Sequence, residues 1–154
     1  MSKKSTRAES NPLLQHSSFP RFDLIRPEHV VPALRHLLAQ LETALSRLET
    51  QAQPTWTGLI EPLERIEDRL SITWGTVGHL MGVRNSDALR QAYQEVQPEV
   101  VQFIMRLGQS QGLYQELKVL QAGVEWQQSD PAQQRIVAAR IRDAELTGVG
   151  LQVE

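Results

Sequence analysis

Four histidines and one run of carboxylates are the residues with the chemistry to form a site. His29 and His36 stand seven apart, about two helical turns, but Pro32 lies between them. Neither belongs to a His-Glu-x-x-His, the spacing that puts two zinc ligands and a general base on one helix face. His16 and His79 have no histidine at ligand spacing, so all four read as structural or solvent-facing side chains. Glu64, Glu67 and Asp68 form the carboxylate run. On a helix, Glu64 and Asp68 share a face, the geometry of an acid/base pair. Arg65 and Arg69 are interleaved with them, which makes a solvated, salt-bridged face the simpler reading. Gly148-x-Gly150 follows a helical pattern and leads into none, so it is no phosphate loop. There is no cysteine and no Gly-x-Ser-x-Gly, which leaves no activated nucleophile. No catalytic, metal-binding or cofactor-binding residue is assigned from the sequence.

The elements that would position any site are helical. From Pro54 to Asn85 the apolar residues Leu59, Leu63, Ile66, Leu70, Trp74, Val77 and Met81 recur at steps of three and four. This spacing predicts a central helix, bent at Pro62, with Trp56 and Trp74 buried in a core arranged around it. Gly78 and Gly82 sit where a neighbouring helix would approach closely, or where the helix end frays. Before it, Pro27 opens a single turn and a main helix runs from Pro32 to about Glu49, burying Leu34, Leu37 or Leu38, Leu41, Leu45 and Leu48. After it, Asn85-Ser86-Asp87 caps a helix to about Leu107, kinked at Pro98. Its stripe is Leu89, Tyr93, Val96, Val100 or Val101, Ile104 and Leu107. A short helix spans 113–121 with Gly123 as its C-cap. Ser129-Asp130-Pro131 opens a last helix carrying Ile136, Val137, Ile141 and Ala144, which Gly148 ends.

Met1 to Ser10 is a polar tail expected to be disordered, and 11–154 a single domain. Leu13, Leu14, Phe19, Phe22, Leu24 and Ile25 predict an extended arm laid on the helices. No segment alternates as a strand does, so the fold class is all-α, an antiparallel bundle of about five helices. Tyr114 and Trp126, beside polar neighbours, are expected to pack in the core. A net charge of −2 over 154 residues gives no electrostatic footprint for nucleic acid or an anionic membrane. The absence of cysteine and of a long apolar run fits a cytoplasmic location.

Several ordered segments resemble the N-terminal region of the thimet-oligopeptidase family of zinc metallopeptidases, in its oligopeptidase A branch. They are NPLL, RPEHVVPAL, PTWTGLIEPL, DRLSITWGTVGHL, VRNSDALRQAYQEVQPEV, QGLYQELK and RDAELTGVGL. Together they cover nearly the whole chain after residue 10. The resemblance implies a non-catalytic helical lobe that faces a zinc-bearing catalytic lobe across a channel for short peptides. The family's zinc ligands and Glu base have no counterpart here, so zinc belongs to the other lobe and the chain alone is expected to hydrolyse nothing. The ending TGVGLQVE, with Val149, Leu151 and Val153, is expected to mark a truncated, split or excised piece with one apolar face uncovered. Two other readings stand beside it: a stand-alone helical module that binds a protein or peptide, and a small enzyme using Glu64 and Asp68.

Overall fold

The computed structural model describes residues 10–15 and 19–150. The expectations for the tail at 1–9, for His16 and for Leu151 and Val153 lie outside the described residues. Among these residues there is no strand. The helices are α1 (Pro27–Gln51), a π-helical turn (Trp56–Ile60), α2 (Glu61–Val83), α3 (Asp87–Gly108), α4 (Gln111–Ala122), α5 (Val124–Gln128) and α6 (Pro131–Leu146). Five of them reach twelve residues or more, which meets the all-α expectation of about five helices.

Two local readings are corrected. Pro32 does not separate a first turn from α1, which is continuous from Pro27. At the sixth position a proline forfeits a single backbone bond, to the Glu28 carbonyl, and the helix carries on. The second correction lies at Pro62, where the chain changes helix type instead of bending one helix. The Glu61 N–H donates to the Trp56 carbonyl, a five-residue spacing, and the α-helix begins immediately after. Thr55 caps this turn by accepting from the Gly58 N–H at 2.9 Å. A β-carbon at Gly58 would lie 2.7 Å from Thr55 Oγ1 and 2.8 Å from the Gln53 carbonyl oxygen, so glycine is required there.

The chain divides into two compact units, 1–42 with 67–103, and 43–66 with 104–154. In the first, Val30, Leu34, Leu37 and Leu41 of α1 bury against Leu70, Val77 and Leu80 of α2 and Leu89, Val96, Val100 and Phe103 of α3. Arg35 ties α1 to α3 through Glu95 at 3.1 Å and Glu99 at 2.8 Å. Trp74 stacks on Tyr93 with ring centres 4.3 Å apart. The arm is not uniformly extended: it turns at 12–14 and 22–24, burying Leu13 and Ile25 while Phe19, Phe22 and Leu24 stay exposed. Asn11 anchors it, accepting from the Leu13 N–H and donating to the His29 carbonyl.

In the second unit, Leu45, Leu48, Leu59, Ile60, Leu63 and Ile66 form the core with Leu113, Leu117 and Leu120 of α4 and Val137 and Ile141 of α6. Asp130 opens α6 with a full capping box closed by Gln133, and Pro131 takes the first position, as expected. Its other end is a Schellman motif. The Gly148 N–H reaches the Glu145 carbonyl, the Val149 N–H reaches that of Ala144, and Gly148 takes φ +92°. Gly123, in contrast, caps α4 with extended backbone at φ −82° and at once opens the five-residue α5, which has no sequence signature of its own.

Five of the ten bulkiest fully buried side chains among the described residues are Val30, Leu34, Leu37, Leu41 and Leu45. The core is therefore arranged around α1, not around the tryptophan-bearing helix. Trp56 and Trp74 are only half-buried, as large indoles with a polar edge tend to be. On α3 the buried stripe passes through Phe103, while Ile104, one residue on, is half exposed. On α6 Val137 is buried and Ile136 sits at the rim.

Candidate functional site

The sequence's candidate groups do not converge. His29 serves the start of α1, its Nδ1 accepting from the Arg26 N–H at 3.1 Å, as the glutamate of a capping box would. His36 pairs with Gln40 along the same helix, Nε2 to Nε2 at 3.0 Å. His79 is exposed on α2 with its ring 5.3 Å from that of Phe22. Arg65 pairs with Glu61 at 3.7 Å, but Arg69 donates to the Gln40 side chain at 2.6 Å and not to a carboxylate. Glu64 is half-buried and Asp68 exposed. Among the described residues no three His, Asp or Glu side chains approach closely enough to hold a metal ion. The donors among the described residues therefore do not fit a zinc ion.

Gly148 and Gly150 both take positive φ, +92° and +85°, and end α6 without opening a helix. A β-carbon on Gly150 would lie 3.1 Å from the Tyr114 ring. Tyr114 is half-buried, its hydroxyl donating to Glu145 at 2.9 Å, and this hydrogen bond holds the phenol above its ordinary range. Trp126 is also half-buried, so neither aromatic is a core residue.

What the sequence reading missed is a surface. From Leu70 to Val83, α2 has no Asp, Glu, Lys or Arg. Its solvent side is Ser71, Ile72, Gly75, Gly78, His79, Gly82 and Val83. Nothing lies within 4 Å of a β-carbon built at Gly75, Gly78 or Gly82. Of the two readings of Gly78 and Gly82, the close approach of a neighbouring helix is absent within the described residues. An exposed helix face is ordinarily charged, and each glycine costs about 1 kcal/mol against alanine. This face is flat and uncharged at the expense of helix stability. The signal was in the sequence, as a charge-free run with three glycines on one side, but without burial it could not be told from a packing face.

One network in the second unit is built as a binding site is, yet serves structure. Glu49 takes both guanidinium nitrogens of Arg106 at 2.6 Å and the Ser110 hydroxyl. Gly112 closes over it, with a β-carbon there 3.1 Å from that of Glu49. The Arg106 hydrogen bonds hold the Glu49 carboxyl below the usual carboxylate range, against the opposing effect of burial.

The comparisons with known proteins agree with the family resemblance of the ordered segments. Residues 34–154 match the family model described as Neurolysin/Thimet oligopeptidase, N-terminal domain. The chain is 47% identical over 143 residues to the probable cytosolic oligopeptidase A of Arabidopsis thaliana, covering 93% of this chain and 20% of that protein. It is 46% identical over 145 residues to the organellar oligopeptidase A, chloroplastic/mitochondrial, of the same plant, covering 94% and 18%. With the oligopeptidase A of Escherichia coli (strain K12) it shares 37% over 146 residues, covering 94% and 22%. The chain spans about a fifth of the length of the curated relatives it matches. With an all-α fold and a match over most of its length, the chain belongs to the neurolysin/thimet oligopeptidase family, as the N-terminal domain.

Proposed function

We propose that the chain acts as the non-catalytic N-terminal lobe of an oligopeptidase A-like zinc endopeptidase, forming one wall of a channel for short peptides. The family match over residues 34–154 carries this reading, because it aligns the chain with an N-terminal domain. The sequence has no His-Glu-x-x-His, so the metal and its activated water belong to the partner lobe. The charge-free face of α2 is the wall: a flat surface without charged side chains accepts extended peptides of varied sequence. The proposed location is cytoplasmic. The names of the relatives support both a cytosolic and an organellar setting for the family.

The test is complementation. The chain with zinc and a fluorogenic short peptide gives background turnover. Mixed with a separately expressed catalytic lobe of an oligopeptidase A, it raises cleavage at least tenfold. Gly78→Arg, on the wall, lowers that gain several-fold while the chain alone melts no lower than before. Robust zinc-dependent cleavage by the chain alone sinks the proposal; no gain on mixing favours the stand-alone interaction module.

A further inference from the structure

In the first unit a cavity of about 350 Å³ opens between the arm, α1 and α2. It lies at the small end of ligand-sized pockets, which run from roughly 300 to 1,000 Å³. Leu13 and Leu14 of the arm, Leu37 of α1 and Ile72 of α2 give it apolar walls. Two polar groups of α2, Arg69 and Thr73, stand one turn apart on the same face and, with Gln15 of the arm, complete the lining.

Both of these groups have unused hydrogen-bonding capacity. Thr73 is 7% exposed as a residue, and its hydroxyl is not among the sealed, unpartnered polar atoms, so it stays reachable from the cavity that it lines. Arg69 uses one of its five N–H donors on Gln40, which His36 holds in turn, and makes no ion pair among the described residues. Gln40 fixes the guanidinium without neutralising it.

We infer that this cavity is a binding site for a small apolar ligand that ends in a carboxylate. The alkyl part displaces water from the leucine and isoleucine walls. The carboxylate takes charge-assisted bonds from Arg69 and a hydrogen bond from the Thr73 hydroxyl. A medium-chain fatty acid and the free C-terminus of a leucine-ended peptide share this chemistry.

Titration calorimetry on the chain alone separates them. The probes are octanoate and octan-1-ol in one arm, and N-acetyl-leucyl-leucine and its C-terminal amide in the other. The expected result is saturation at one equivalent by at least one of the two acids, with its uncharged counterpart at least tenfold weaker. The tighter-binding acid identifies the source. Arg69→Gln abolishes the preference for the acid, and Thr73→Val weakens binding several-fold. Ile72→Trp, at a position 63% exposed and therefore neutral for folding, narrows the mouth and weakens both acids. Failure of both acids to saturate, equal binding of acid and uncharged counterpart, or indifference to Arg69→Gln and Ile72→Trp overturns the site. None of these readouts depends on a catalytic lobe, so the site and the peptidase reading stand or fall separately.

Discussion

A single carboxylate, Glu49, holds together the end of α1 and the turn between α3 and α4, and its ionised form does so. Its carboxyl is held below the usual range by Arg106 first and Ser110 second. A carboxyl depressed in the folded state stabilises the protein fully above its unfolded value and loses that contribution as the pH falls through the folded one. Urea denaturation is therefore expected to show stability declining once the pH drops below about 4.3. Glu49→Gln should cost about 1–3 kcal/mol at pH 7 and flatten that acid slope. An unchanged slope in the variant would remove Glu49 from the account. Gly58 makes a second prediction at this scale. With backbone oxygen 2.8 Å from any β-carbon, Gly58→Ala should lower stability by about 1–3 kcal/mol in the same measurement. Neither role was legible in the residues alone: Glu49 and Arg106 are 57 positions apart and meet only on folding, and the tight space at Gly58 depends on how the chain turns over Gln53 and Thr55.

Among the elements, α2 departs most from ordinary helix economy. Gly75, Gly78 and Gly82 face open space, so each change to alanine removes backbone entropy from the unfolded chain without meeting a neighbour. Each should raise stability by up to about 1 kcal/mol, read as a higher melting temperature of the chain alone. A fall in melting temperature would mean that the face is packed and not open. The α6 C-terminus behaves oppositely: Gly148 sits in the left-handed region, and Gly148→Ala should cost about 1 kcal/mol. Helix existence and order were legible because stripes such as Leu34, Leu41, Leu45 and Leu48 repeat cleanly, and because Ser129-Asp130-Pro131 spells a start. The π turn was not legible, since Pro62 is compatible with a bend, a first turn or a change of helix type until the Thr55 cap and the tight Gly58 contact choose. Nor does periodicity separate Phe103 from Ile104, since both lie within one turn of Val100 and only the neighbouring helices select between them.

At the scale of the whole molecule, α1, α2 and α3 each contribute residues to both compact units. Leu34 serves the first and Leu45 the second, and both are wholly buried. Replacing either by alanine should cost about 2–5 kcal/mol in urea denaturation. Composition and resemblance reached the all-α class and the family, because those follow from many residues at once. The uncharged face of α2 and the arm's cavity escaped, because each is defined by which side chains remain uncovered, a property that no single segment carries. The uncharged face of α2 has a practical corollary for protein chemistry. With no lysine or arginine between Arg69 and Arg84, trypsin releases that face whole, as the stretch 70–84, in which His79 lies on the face and the half-buried Trp74 and Met81 flank it. Hydroxyl-radical labelling followed by mass spectrometry then reads its occlusion from one peptide, with three oxidisable side chains as internal reporters.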